Sequence, residues 1–193
     1  MGIFLVGLVL FLGVHSVSIV APRWREAQVA RLGEGAWKGL YSGLAAVGLG
    51  VLIYGYGVAR RTPVVLYTPP RAVHDLALLL MVAFFPLLLA AYLPGRIQRA
   101  AVHPMLLSVK VWATAHLLAN GTLADVLLFG AFLAWAVLDR ISLKRRPARA
   151  IPGAPARPWN DAVVVVLGLA LYAFFLLRGH RWLVGVSPLV SLQ

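Results

Sequence analysis

An all-α, polytopic membrane helix bundle is the fold class this sequence predicts, and three observations predict it. Of 193 residues, 61% are hydrophobic and only 12% are charged, where a soluble domain carries about 25% charged residues. The apolar residues fall into separated blocks of roughly 16–22 residues, the length a helix needs to cross a bilayer. The basic residues gather at the ends of those blocks, as membrane topology requires. The net charge of +12 therefore points to anionic lipid headgroups and not to nucleic acid. The chain has no cysteine, so disulfides, thiolate ligands, Fe–S clusters and Cys-based zinc sites are excluded.

Six spans are expected, at 2–21, 38–59, 73–93, 104–119, 123–141 and 161–177. They form a single transmembrane domain over 1–193, with five spans as the alternative because the fourth is shortest and least apolar. The first block lacks a basic residue before it, and Pro22 follows its end. It is expected to be a retained span and not a cleaved signal. In the second block, the pairs Gly39/Gly43 and Gly50/Gly57, with Ala45 and Ala46, favour close helix packing. Pro104 suits a first helical position with His103 as cap. Asn120-Gly121 suits a left-handed turn closing the fourth block. Thr122 with Asp125 fits a capping box opening the fifth. The stretch 144–158 is basic and rich in Pro and Ala, and is expected to be a cytoplasmic loop without a core.

Charge sets the orientation. Arg23, Arg25, Arg31, Lys38, Arg96, Arg99, Arg140, Lys144, Arg145, Arg146, Arg149 and Arg157 flank one side of the spans. Arg60, Arg61, Arg71, Arg178 and Arg181 flank the other. The positive-inside rule places both termini in the periplasm of a bacterial inner membrane protein.

Chemistry-bearing groups inside spans are few. Ionisable side chains there are costly and mark function by default. His15 lies in the first span, His116 and Lys110 in the fourth. Trp112, His116 and Asn120 recur at i, i+4 and i+8, on one helical face. A buried histidine serves structure when it donates to a neighbouring carbonyl. Two of them in dry apolar spans, without a relay carboxylate, also suit axial ligation of haem. A tetrahedral zinc site lacks its further ligands. On straight-helix counting, His15 and His116 differ in depth by about 9 Å, so His15 with His103 is the competing pair. Lys110 either snorkels or meets an anionic group, and Arg23 and Arg25 are further partners for such a group near His15.

Several segments carry a resemblance. These are Phe11-Leu12-Gly13-Val14-His15-Ser16, Gly35-Ala36-Trp37-Lys38-Gly39-Leu40-Tyr41-Ser42, the His103-Pro104-Met105…Trp112…His116…Asn120-Gly121 run, and His180-Arg181-Trp182-Leu183. Together they resemble the NnrU family, bacterial membrane proteins named for genes near nitrite and nitric oxide reduction. The related zeta-carotene isomerases share its domain. The resemblance implies haem b in the membrane, with axial histidines at the positions of His15 and His116. In the isomerases a cysteine precedes the second histidine by three residues, and here that position is Ala113. A more distant likeness, through the His-Pro helix start, is to isoprenylcysteine-type methyltransferases. Their acidic cofactor segment has no counterpart in 142–158. The expected function is haem binding with an accessory, redox-linked role in nitrogen-oxide metabolism. The alternatives are cis–trans isomerisation of a carotenoid or other polyene, and a haem-free lipid-binding scaffold.

Overall fold

The computed structural model describes residues 1–146 and 153–189. Its helices are α1 (Gly2–Val20), α2 (Pro22–Leu32), α3 (Glu34–Ala59), α4 (Arg71–Met81), α5 (Phe84–Ala90), α6 (Arg96–Ala101), α7 (Pro104–Ala119), α8 (Leu123–Leu143), α9 (Asn160–Phe174) and α10 (His180–Val184). A π-helical turn, Phe175–Gly179, joins the last two. Among the described residues there are 5 helical segments long and apolar enough to cross a membrane: Gly2–Val20, Glu34–Ala59, Arg71–Ala90, Leu123–Leu143 and Asn160–Val184. The predicted helical membrane bundle is therefore present. α7 is the sixth apolar helix; its 16 residues span about 24 Å. Of the expected basic loop at 144–158, positions 147–152, Arg149 included, lie outside the described residues. Positions 153–157 are exposed and without regular structure.

Two span ends differ from expectation. The chain after the first span forms a helix, α2, instead of a plain loop. Pro22 at its first position starts it, since a missing N–H costs nothing there. The sixth span does not end at 177 but continues to Val184. The polar Arg178-Gly179-His180 run reads as a boundary, yet the π turn carries the helix through it to the apolar Trp182-Leu183-Val184.

The described residues form two compact units. The first holds Met1–Thr68 and Gly121–Arg145. Its centre is the contact of α1 with α3. A Cβ on Gly7 would overlap the Leu52 backbone, and one on Gly55 would overlap Phe4. A Cβ on Gly48 would lie 2.9 Å from the Phe11 nitrogen. These are not the glycines the sequence nominated. Gly39, Gly43, Gly50 and Gly57 meet open space. Gly48, Leu52, Gly55 and Ala59 fall at i, i+4, i+7 and i+11, the buried face, and the expected glycines fall on the opposite one. Close backbone approach replaces side-chain burial as the source of contact, which suits a medium as apolar as the helices themselves.

The capping box of α8 forms as expected. Thr122 Oγ1 accepts from the Asp125 backbone N–H at 3.3 Å, and Asp125 accepts from the Thr122 N–H at 3.3 Å. The Tyr56 hydroxyl also donates to Asp125, so this buried carboxylate is held by both helices. Gly121 is not in the left-handed region, and Asn120 is extended. The chain instead pairs with an extended segment. Leu66 N–H donates to the Gly121 carbonyl at 2.8 Å and Leu123 N–H to the Val64 carbonyl at 2.8 Å. A Cβ at Gly121 would overlap the Tyr67 carbonyl. Glycine is required there for close approach, not for positive φ.

The second unit holds Pro69–Asn120 and the described part of Arg146–Gln193. Pro86 leaves the Val82 carbonyl without its helical donor and separates α4 from α5. The proline ring fits against Gly168 of α9, where a Cβ would lie 2.7 Å from it. Asn160 and Asp161 anchor the start of α9. The Asp161 carboxylate accepts from Arg96 N–H at 2.8 Å and Ile97 N–H at 3.0 Å, which caps α6. Asn160 donates to the Pro94 carbonyl at 2.8 Å. Before α7 the chain turns through Val102, at φ 60° and ψ −47°. His103 N–H donates back to Ala101 at 2.6 Å, closing a γ-turn of the rare positive-φ kind. His103 takes the N-cap position as predicted, but no side-chain capping bond forms.

The glycine assignment is testable. Gly55→Val forces a side chain into the α1 backbone and should cost about 1–3 kcal/mol, read as a lower thermal midpoint and a lower yield of monodisperse protein in detergent. Gly57→Val points away from that contact and should leave both unchanged. Equal behaviour of the two variants would contradict the packing face described above.

Candidate functional site

In the first unit, His15 sits half-buried on α1 among aromatic rings. Phe11, one turn earlier, lies 4.3 Å from it between ring centroids. Tyr41 of α3 approaches edge-on at 5.5 Å and Trp135 of α8 at 6.0 Å. His15 Nδ1 is 2.7 Å from the Phe11 carbonyl oxygen. A carbonyl only accepts, so Nδ1 carries the proton and Nε2 keeps the lone pair. Beside this ring, the Trp135 indole N–H is buried and has no hydrogen-bond partner among the described residues. Arg23 is exposed, whereas the Arg25 guanidinium stacks over Trp37, 5.9 Å from the ring centre.

In the second unit, the predicted i, i+4, i+8 stripe on α7 is a chain of direct contacts. Trp112 and His116 have ring centroids 5.2 Å apart. His116 Nδ1 lies 2.8 Å from the Trp112 carbonyl, which fixes the same tautomer as in His15. Asn120 Nδ2 donates to the His116 carbonyl at 3.0 Å and closes the helix end. Ala113 and Ala115 are fully buried, so α7 turns its small residues into the unit. Lys110 is half-buried, and no carboxylate pairs with it among the described residues. His74 and His103 are half-buried on α4 and before α7.

The structure adds His180, which lies beyond the expected end of the last span at 177. Its ring lies 6.5 Å from that of His116, with planes 23° apart. His180 Nδ1 is 2.8 Å from the Val186 carbonyl. A depth count contains the signal once the last span is known to reach Val184. His116 is three residues from the end of α7 and His180 four from the end of α10, about 5 and 6 Å. Tyr41 and Trp135 were also missed. Tyr41 stands within the quoted family segment, and nothing in the sequence singles out Trp135.

Among the described residues, no group of three or more His, Cys, Asp or Glu could hold a metal ion by itself. A porphyrin supplies four of its iron's ligands and asks the protein for one or two imidazoles. Imidazoles with Nδ1 tied to a backbone carbonyl and set against aromatic rings fit that demand. The buried indole N–H of Trp135 is a polar donor in the apolar wall near His15 with no hydrogen-bond partner among the described residues. A family model described as NnrU protein matches residues 3–188, whereas no curated protein and no solved structure matches the chain. With nearly the whole chain covered, this protein belongs to the NnrU family.

Proposed function

We propose that this NnrU-family protein binds haem b within the bacterial inner membrane and has an accessory, redox-linked role in nitrogen-oxide metabolism. The observation that carries the proposal is the tautomer of His116. Its Nδ1–H is held by the Trp112 carbonyl, so the lone pair lies on Nε2, the form in which imidazole ligates iron. Haem, when bound, supplies a reversible one-electron centre. The residues around it orient and shield. Trp112 packs against one side of the His116 ring, its carbonyl orients that ring, and Asn120 holds the His116 backbone carbonyl at the helix end. The family resemblance nominates His15 as a second imidazole, and its Phe11 carbonyl prepares it in the same way. Lys110 and Arg23 supply positive charge, each in its own unit, for the carboxylates such a cofactor carries. The related zeta-carotene isomerases carry a cysteine where Ala113 stands, so an electron-transfer or accessory role is preferred here.

The bias of basic residues supports periplasmic termini. Alkaline phosphatase fused after Gln193 should be active, and an inactive fusion with a fluorescent cytoplasmic reporter would reverse the orientation. The haem proposal is tested by the visible spectrum of full-length protein purified in detergent, oxidised and then reduced. Sharp bands should appear on reduction. His116→Ala should abolish or weaken them, and His74→Ala should leave them unchanged. Wild-type protein expressed with ample haem but lacking a Soret band would favour the lipid-binding scaffold.

A further inference from the structure

We infer that a groove at the end of the last span binds one anionic phospholipid, with its phosphate held by Arg178 and Arg181 and an acyl chain lying along α9. The site lies within the second unit, uses none of the histidines and stands independently of the haem reading. The open groove has a volume of about 530 Å³ and is lined by Phe174, Arg178, Arg181 and Trp182. Those positions follow i, i+4, i+7 and i+8, so one side of the helix carries two guanidinium groups and two aromatic rings. Gly179 lets the Phe174 ring rest on bare backbone, since a Cβ there would lie 2.8 Å from it.

The first ground is charge. Arg178 and Arg181 stand in the last two turns of Asn160–Val184, a segment long and apolar enough to cross the membrane. Cations so placed in a span are costly unless they meet an anion or reach the interface. No carboxylate pairs with either arginine among the described residues, and 172–189 contains no acidic residue. One Arg178 donor is used on the neighbouring Leu177 carbonyl, at 3.3 Å. Both arginines belong to the sparser set of flanking cations, so the general charge bias does not account for them.

The second ground is the surroundings of that charge. Trp182 is 84% exposed and Phe174 is 50% exposed, side by side with the arginines. A surface facing water alone does not favour such a pair, whereas the membrane–water boundary does. Guanidinium forks match phosphate oxygens in pairs. The third ground is a path for the acyl chain. Val163, Leu167, Ala170 and Phe174 fall at i, i+4, i+7 and i+11, and all four are exposed. This apolar ridge leads from the groove back along α9 into the bilayer. A small soluble anion has no use for it, and a zwitterionic headgroup would set its own cation against the two arginines.

The test reconstitutes full-length protein in vesicles of phosphatidylcholine and phosphatidylglycerol, extracts it in mild detergent and weighs the intact protein–lipid complexes. Wild type should retain one phosphatidylglycerol in preference to phosphatidylcholine. The double variant Arg178→Gln/Arg181→Gln should retain it roughly tenfold less, as loss of charge-assisted hydrogen bonds implies. Arg60→Gln/Arg61→Gln removes as much charge from the first unit and should leave retention unchanged. Equal loss in both double variants, or no preference in wild type, overturns the site. Displacement of the lipid by millimolar inorganic phosphate would make it a site for the free anion and also overturns the assignment. Should the first double variant fail to fold, Trp182→Ala removes a side chain exposed enough to be replaced without cost to packing. Retention in Trp182→Ala should fall severalfold, and unchanged retention would contradict the inference.

Discussion

An imidazole inside a bilayer needs a protein acceptor for its N–H, because no water is there to take it. That one bond decides what the other nitrogen can do. In this protein the acceptor is a backbone carbonyl in all three cases: Phe11 for His15, Trp112 for His116 and Val186 for His180. For His15 and His116 it is the carbonyl one turn earlier, where a helix always has an oxygen within reach. For His180 it comes from beyond the helix, and the left-handed Gly185 delivers it. In the neutral ring that bond leaves the lone pair on Nε2. The same bond that satisfies a buried histidine also prepares it as a ligand.

The rest of each unit holds those rings in position. In the first unit the α1–α3 contact is made backbone to backbone through Gly7, Gly48 and Gly55, which fixes α1 and therefore His15 against Tyr41. Asp125 joins the start of α8 to Tyr56 of α3. In the second unit the Pro86–Gly168 fit and the Asn160–Asp161 anchor hold α9 to α5 and α6. The Tyr172 hydroxyl donates to the Leu78 carbonyl at 2.9 Å and secures the same span closer to the π turn. Polar bonds of this kind substitute for hydrophobic burial, which has no driving force between helices in lipid.

Much of this was legible in the sequence. The order of the apolar helices followed from apolar length, the alternative of five spans matching the 5 described segments long enough to cross and the expected six exceeding it by the short α7, and the Thr122–Asp125 box followed from its spacing. The Trp112, His116 and Asn120 stripe followed from the helical period. What the sequence concealed has a common physical origin. Glycines on α3 occur on both faces, and composition does not say which face meets a neighbour. Gly121 serves close approach to Tyr67 from an extended backbone, which its Asn-Gly setting disguises as a left-handed turn. The end of the last span was misplaced because a π turn leaves no mark in hydropathy. His180 was lost with it. Its neighbour His116 is distant in the chain, and only folding brings the two rings together.

The central proposal is that His116, its Nδ1–H held by the Trp112 carbonyl, serves as a haem ligand. The visible spectrum of full-length protein in detergent, oxidised and then reduced, tests it most directly. A Soret band in wild type that His116→Ala abolishes or weakens is the predicted result. No Soret band with ample haem supplied, or a band unchanged in His116→Ala, would contradict it.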